Sequence, residues 1–272
     1  PPPWFPSVTV AAISLMVVLP SFTPNQYLLG AERAKSHDRL NRGYALLAQH
    51  QPARAEAEFA ALPTDYPFRP TALAATYHAQ GQDERALATL NDDLDSLGAT
   101  LLRGDIFRAQ GRTDEAQQAL NYRDVRVANP TVEAWDHLNP VPLARLDVGD
   151  GLDLGYLQGL NLDEREGNTT FRWTTAQAAF RLAAPTGANA TLRIRLRGYR
   201  PSGAIPPVQI SAGGQTLGSI TTIGEWQTYE FPITGAATGN GWMIVRVDTP
   251  TFVLSYADQR EFGVMIDWIE IK

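Results

Sequence analysis

The chain has 272 residues, 44% of them hydrophobic and 19% charged, a composition that suits one large folded domain or two modest ones. A net charge of −6 with a pI near 5.3 leaves no basic footprint for a nucleic acid. The absence of cysteine removes disulfides, thiolate metal sites, iron–sulfur clusters and cysteine nucleophiles at once.

Pro1–Ala31 carries no charged side chain, and Val8–Leu19 (VTVAAISLMVVL) is apolar apart from Thr9 and Ser14. The uncharged 19 residues from Trp4 to Phe22 are about long enough to cross a bilayer. Trp4, Phe5 and Tyr27 fall where interfacial aromatics belong. Residues 1–31 are therefore expected to be a transmembrane anchor, the alternatives being a signal-peptide remnant or a buried helix. Arg33, Lys35, Arg39 and Arg42 follow the span and favour a cytoplasmic remainder, diluted by Glu32 and Asp38. Sequence upstream of Pro1 would override that bias, and the soluble part is expected on the extracytoplasmic side.

Residues 32–126 are rich in Ala, Leu and Gln at helical spacing. Three stretches align without gaps: "GYALLAQHQPARAEAEFAAL" (43–62), "AATYHAQGQDERALATL" (74–90) and "GDIFRAQGRTDEAQQAL" (104–120). Small residues recur at Gly43, Ala74 and Gly104, and apolar residues at Leu46, Tyr77 and Phe107. The turn position holds His50, Gly81 and Gly111, followed by Ala55, Ala86 and Ala116 and then Phe59, Leu90 and Leu120. Periods of 31 and 30 residues, with small residues where two helices cross, resemble tetratricopeptide repeats with a shortened second helix. That resemblance implies a short α-solenoid of helix-turn-helix units, serving as an interaction module or as a rigid stalk. The prolines of "VANPTVEAWDHLNPVPL" mark residues 127–142 as a linker.

From residue 143 to 272 the texture changes to Thr, Gly, Val, Ile and aromatics with period-two alternation. Strands are expected at 143–148, 170–175, 177–183, 191–198, 207–212, 216–222, 226–233, 242–248 and 262–271. "GEWQTYEFPI" (224–233) and the closing "FGVMIDWIEI" (262–271) resemble the galactose-binding-like jelly rolls found as carbohydrate-binding modules. The fold class is thus multidomain α + β: a transmembrane helix, an α-solenoid and an antiparallel β-sandwich. This order of parts looks like the C-terminal tail of bacterial polytopic glycosyltransferases of the dolichyl-phosphate-mannose protein mannosyltransferase type. The catalytic loops of that family lie among earlier spans, so the resemblance implies an accessory role only.

The closing strand places an acid, Asp267, among apolar residues. Strict alternation puts it on one face with Met265, Ile269 and Ile271. A buried carboxylate must be neutralised. In jelly rolls of this kind the first and last strands are neighbours and a structural calcium often sits between them, so the resemblance implies a site at Asp147 and Asp267. The competing expectation pairs Asp267 with Arg260, Arg172 or backbone N–H groups. "TLRIRLRGYR" (191–200) puts Arg193, Arg195 and Arg197 on one strand face, read either as a phosphate or acidic-sugar grip or as a solvated face balanced by neighbouring acids.

Sugar recognition needs an aromatic face that stacks on a pyranose ring. The candidates are Tyr156, Tyr199, Trp226, Trp242 and Tyr256, while Trp173 and Trp268 are expected in the core. No nucleophile elbow, P-loop, dinucleotide fingerprint or zincin motif occurs, and the β half has no histidine. "NLDEREGN" (161–168) reads as a polar loop, and Asn168 and Asn189 each head an N-x-Thr pattern. Two functions remain. One is a non-catalytic, membrane-anchored glycan-binding module allied to a glycosyltransferase. The other is an accessory subunit that docks membrane proteins through its repeats and sandwich.

Overall fold

The computed structural model describes residues 24–91, 96–120, 130–187, 189–203, 205, 207–234 and 241–272. The span expected over Trp4–Phe22 lies outside these. Among the described residues, no helix is long and apolar enough to cross a membrane. The chain divides into two compact units, residues 1–93 and 94–272.

The first unit holds α1 (Pro24–Ala48), α2 (Pro52–Ala60), α3 (Arg69–Ala79) and α4 (Asp83–Leu90). The second opens with α5 (Leu97–Ala109) and α6 (Thr113–Leu120). Three helix pairs result, and each turns in the same way. His50, Gly81 and Gly111 adopt left-handed backbone, with φ of 56°, 73° and 73°. The next amides, of Gln51, Gln82 and Arg112, donate back to the carbonyls of Leu46, Tyr77 and Phe107 at 2.9, 2.8 and 2.9 Å. This is a helix cap that satisfies end carbonyls through a left-handed residue. Small residues sit at the crossings for a steric reason. A Cβ on Gly43 would lie 2.1 Å from Phe59 Cε1, and one on Gly104 2.6 Å from Leu120 Cγ. Ser96 caps α5 by accepting the Ala99 amide hydrogen at 3.1 Å.

The segment expected as a linker contains a further helix, α7 (Pro130–His137), begun by the proline that suggested a break. Proline fits the first helical turn, where its missing N–H costs nothing.

The β half comprises β1 (Arg145–Asp147), β2 (Leu157–Glu166), β3 (Thr169–Ala183), β4 (Asn189–Arg197), β5 (Pro207–Ala212) and β6 (Gln215–Thr221). It continues with β7 (Gln227–Thr234), β8 (Trp242–Asp248), the short β9 (Phe252–Val253) and β10 (Glu261–Phe262), and β11 (Met265–Ile271). Among the described residues, nine strands form one hydrogen-bonded sheet in the order β6-β5-β8-β3-β11-β4-β7, with β1 on β11 and β2 on β3. Two expected strands, 170–175 and 177–183, are the single strand β3. Its first half pairs with β11 and its second half with β8, so it crosses between layers. The supposed polar loop 161–168 is instead mostly strand β2, running into the hairpin turn at Gly167 and Asn168.

Inward residues of both layers meet in one core: Phe180 and Leu182 of β3, Val245 and Val247 of β8, Ile194 of β4 and Ile269 of β11 are among its buried members. A second, smaller aromatic cluster outside that core joins Phe171, Trp173, Phe262 and Met265, with Trp226 and Phe252 packed against it.

The closing strand departs from strict alternation. Ile266 faces Leu196 across the ladder, but the next pair is Trp268 with Arg195, so Asp267 is an extra residue in a β-bulge. Ile266, Ile269 and Ile271 therefore enter the core together, while Met265, Trp268 and Glu270 face the arginines of β4. The expected grouping of Met265 with Ile269 and Ile271 fails at the bulge.

Candidate functional site

The five candidate aromatics separate by exposure. Tyr156 is 2% exposed; its hydroxyl donates to the Val141 carbonyl at 2.7 Å, and burial pushes its pKa up to about 12. No sugar can reach that ring, so its assignment as a platform is corrected to core. Trp242 packs against the core and edge-on to Tyr156, with the Arg181 guanidinium over its ring at 5.4 Å. Trp226 is half-buried, flanked by Phe171 and covered by Arg195 and Arg197 at 5.4 and 5.0 Å. Both tryptophans are half-buried. Tyr199 is 47% exposed and Tyr256 97% exposed.

Tyr199 follows the end of β4 and leans on the aromatic cluster, with ring centroids 6.4 Å from Trp173 and 6.0 Å from Phe252. Its backbone is held by Arg200, a buried guanidinium that donates to the carbonyls of Tyr199 at 2.7 Å and Gly263 at 2.6 Å, and to that of Pro250. Burial lowers the Arg200 pKa. One side chain thus ties an exposed tyrosine to the loop after β8.

Pro250 is also the rim of a groove of about 540 Å³ on the outer face of the β6-β5-β8-β3 layer. Antiparallel register builds its floor. Gln177 of β3 stands opposite Asp248 of β8, Asp248 opposite Gln209 of β5, and Gln209 opposite Ser219 of β6. Outward residues alternate with inward core residues on each strand, so the polar row lies directly above Ala178, Val247 and Val208. Ala176, Thr249 and Pro207 complete the lining. Sequence reasoning missed this row. The alternation in "WMIVRVD" marks Arg246 and Asp248 as outward, but which residues of other strands stand beside them depends on register across three loops.

Asp267 is neutralised by Arg195, which neither sequence expectation named. Burial pushes the Asp267 carboxyl up, and the Arg195 guanidinium pulls against it. Arg172 is occupied elsewhere: it forks onto buried Asp153, Nε to Oδ2 at 2.6 Å and Nη2 to Oδ1 at 2.9 Å, and Asp153 Oδ2 also accepts the Gly149 amide hydrogen. Arg260 pairs with Asp258 at 2.7 Å. The expected calcium pair, Asp147 and Asp267, supplies two carboxylates, and Arg195 already pairs with Asp267; calcium takes six to eight oxygens, backbone carbonyls and waters among them. Among the described residues no group of three or more His, Asp or Glu side chains is placed to hold a metal. The arginine row of β4 is balanced: Arg193 pairs with Glu230 at 2.8 Å and Glu270 at 2.5 Å, and Arg197 with Glu166 at 2.7 Å.

No protein-family model matches the chain, and no curated protein does. Among solved structures, it is similar to the C-terminal CBM6 of LamC, a marine laminarinase from Zobellia galactanivorans. Identity is 11%, the match covers 47% of this chain and 97% of that one, and the TM-score is 0.32. It is similar to a family 35 carbohydrate-binding module from Clostridium thermocellum, with 10% identity, 47% and 96% coverage and a TM-score of 0.34. A third similar structure is the carbohydrate-binding module CBM36 in complex with calcium and xylotriose, with 12% identity, 48% and 100% coverage and a TM-score of 0.29.

Proposed function

We propose that the β half is a non-catalytic glycan-binding module whose ligand lies along the Gln177–Asp248–Gln209–Ser219 row and ends against Tyr199. The observation that carries this reading is the row itself. Amide, carboxylate and hydroxyl groups stand in register across four strands, on a rigid floor, in a groove whose rim is tied to an exposed tyrosine by Arg200. A sugar presents hydroxyls around its edge and C–H groups on its faces. It therefore needs convergent polar groups and one flat apolar surface. In this reading the helix pairs form a stalk, Trp4–Phe22 holds the chain in a membrane, and the sandwich works on the extracytoplasmic side beside an enzyme of glycosyl transfer.

A second reading has its own observation. Ile223, Val253, Leu254 and Tyr256 are exposed, which suits a protein-docking surface of an accessory subunit. Calorimetric titration of the full chain in mild detergent with a panel of oligosaccharides separates the two. Glycan binding should weaken about tenfold in Tyr199→Ala and in Gln209→Ala, equivalent to about 1.4 kcal/mol, with unchanged melting temperature. Failure of every glycan to bind, together with stoichiometric co-purification of a membrane protein that is lost in Leu254→Asp, would favour the accessory-subunit reading.

A further inference from the structure

We infer that the groove selects a glycan bearing a free amine, with Asp248 as the group that recognises the ammonium. This rests on the glycan-binding reading above and goes beyond it by naming the ligand's charge.

Several carboxylates of the sandwich pair with arginine. Asp153 takes Arg172, Asp267 takes Arg195, Glu166 takes Arg197, and Glu230 and Glu270 share Arg193. Asp248 departs from this pattern. It is half-buried in the middle of the groove, and among the described residues its side chain makes no ion pair and no hydrogen bond. Among the described residues the groove lining contains no other charged side chain. Arg246 is the nearest basic group along β8, two residues back on the same outward face, but it stands opposite Ala179 and Ser211, outside the lining.

A carboxylate that makes no ion pair, in the middle of a groove lined by neutral polar groups, is a position at which a ligand can supply the cation. Gln177 and Gln209 stand on either side of it in register, each with one carbonyl oxygen and two N–H donors. An ammonium group gives three donors. One can go to Asp248 as a charge-assisted bond and the others to the amide oxygens, while the amide N–H groups and Ser219 remain for neighbouring hydroxyls. An N-acetylated sugar would bring a neutral amide to Asp248 and leave its charge unanswered. A uronic acid would bring a second carboxylate.

The test is calorimetric titration of the full chain in mild detergent, at pH 6 and low salt, with three probes. These are a glucosamine hexamer, the fully N-acetylated hexamer and an oligogalacturonate. The glucosamine hexamer is expected to bind at least tenfold more tightly than the acetylated one, and the oligogalacturonate weakest. Asp248→Asn should erase the preference for the amine, and Gln209→Glu, which adds a second acid beside it, should strengthen that preference. Equal binding of free and acetylated hexamers, unaltered by Asp248→Asn, would overturn the inference while leaving the glycan-binding reading intact. If none of these or any other glycan binds, that reading itself falls. Binding of tetralysine as tightly as the glucosamine hexamer would reassign the groove to a basic peptide.

Discussion

Asp150 is the residue whose surroundings speak most directly about pH. It lies in the turn between β1 and β2, with Oδ1 accepting the Leu152 amide hydrogen at 2.8 Å. Burial, opposed by that hydrogen bond and reinforced by the charges of Asp153 and Asp147, raises its pKa from 3.8 to about 6. The folded state therefore holds a proton that the unfolded chain has released between about pH 4 and pH 6, and stability falls as pH rises through that window. Above it the carboxylate is a standing cost. Asp150→Asn keeps the acceptor for Leu152 and removes the charge, so its melting temperature should exceed that of the parent by a few degrees at pH 7.5. Below pH 4 the two should converge, and scanning calorimetry at both pH values checks the crossing. A constant offset at all pH values would mean the side chain acts through packing instead. At this scale the sequence was partly legible. The alternation of "TLRIRLR" told which arginines share a face, because a regular strand keeps period two. It could not tell that Asp267 meets Arg195, because one bulged residue resets the faces of everything after it.

Elements were read best where a local turn decides them. The three helix pairs were visible because each spends a small residue at its crossing and a left-handed residue at its cap, both set within a few positions of the chain. His50 is the exception that tests the account. It occupies the cap position that Gly81 and Gly111 fill in the other copies, yet it carries a Cβ at φ 56°. A non-glycine residue there costs roughly 1–2 kcal/mol, while glycine's extra freedom in the unfolded chain takes back part of that. His50→Gly should therefore stabilise the first unit by about 1 kcal/mol in chemical denaturation, with an unchanged denaturant slope. Loss of stability would show that the imidazole makes a contribution the cap geometry does not account for. Strand β2 was missed for the opposite reason. "LQGLNLDERE" has glycine, asparagine and a run of charge, and two register shifts against β3 interrupt its alternation. The groove is less legible still. Its four floor residues, Gln177, Gln209, Ser219 and Asp248, come from four strands, β3, β5, β6 and β8, and only the folded register makes them neighbours.

For the whole molecule, the change in composition near residue 143 suggested that the sandwich begins there, but the physical boundary lies earlier. In the second unit the helix pair α5–α6 and α7 belong to the sandwich. Arg108 of α5 donates to the carbonyls of Leu152 and Leu154 at 2.5 and 2.8 Å, pairs with Asp105 and lies over the Tyr156 ring at 4.7 Å. Gln117 of α6 donates to the Asp150 carbonyl at 2.8 Å. Arg181 of β3 reaches out from the sheet to the carbonyls of Gly155 and Leu138, between the rings of Trp135 and Trp242, and burial lowers its pKa to about 10. Cutting the chain at 143 would remove Arg108, Leu138 and Trp135. It would leave Arg181 without the Leu138 carbonyl, and the Leu152 and Leu154 carbonyls without their shared donor. Hydrogen bonds to a charged group contribute about 1.5–3 kcal/mol each, and the cut gives them up to water. Against a typical domain stability of about 5–15 kcal/mol, two or three such losses are enough to unfold a large fraction of molecules. A fragment of residues 94–272 should therefore melt in one cooperative transition, and one of residues 143–272 should melt at least 10 °C lower or fail to fold. Equal melting temperatures would mean that the helices only rest on the sandwich. The helices and the sandwich would then be separable parts, and the hydrogen bonds of Arg108, Gln117 and Arg181 would contribute little to the fold.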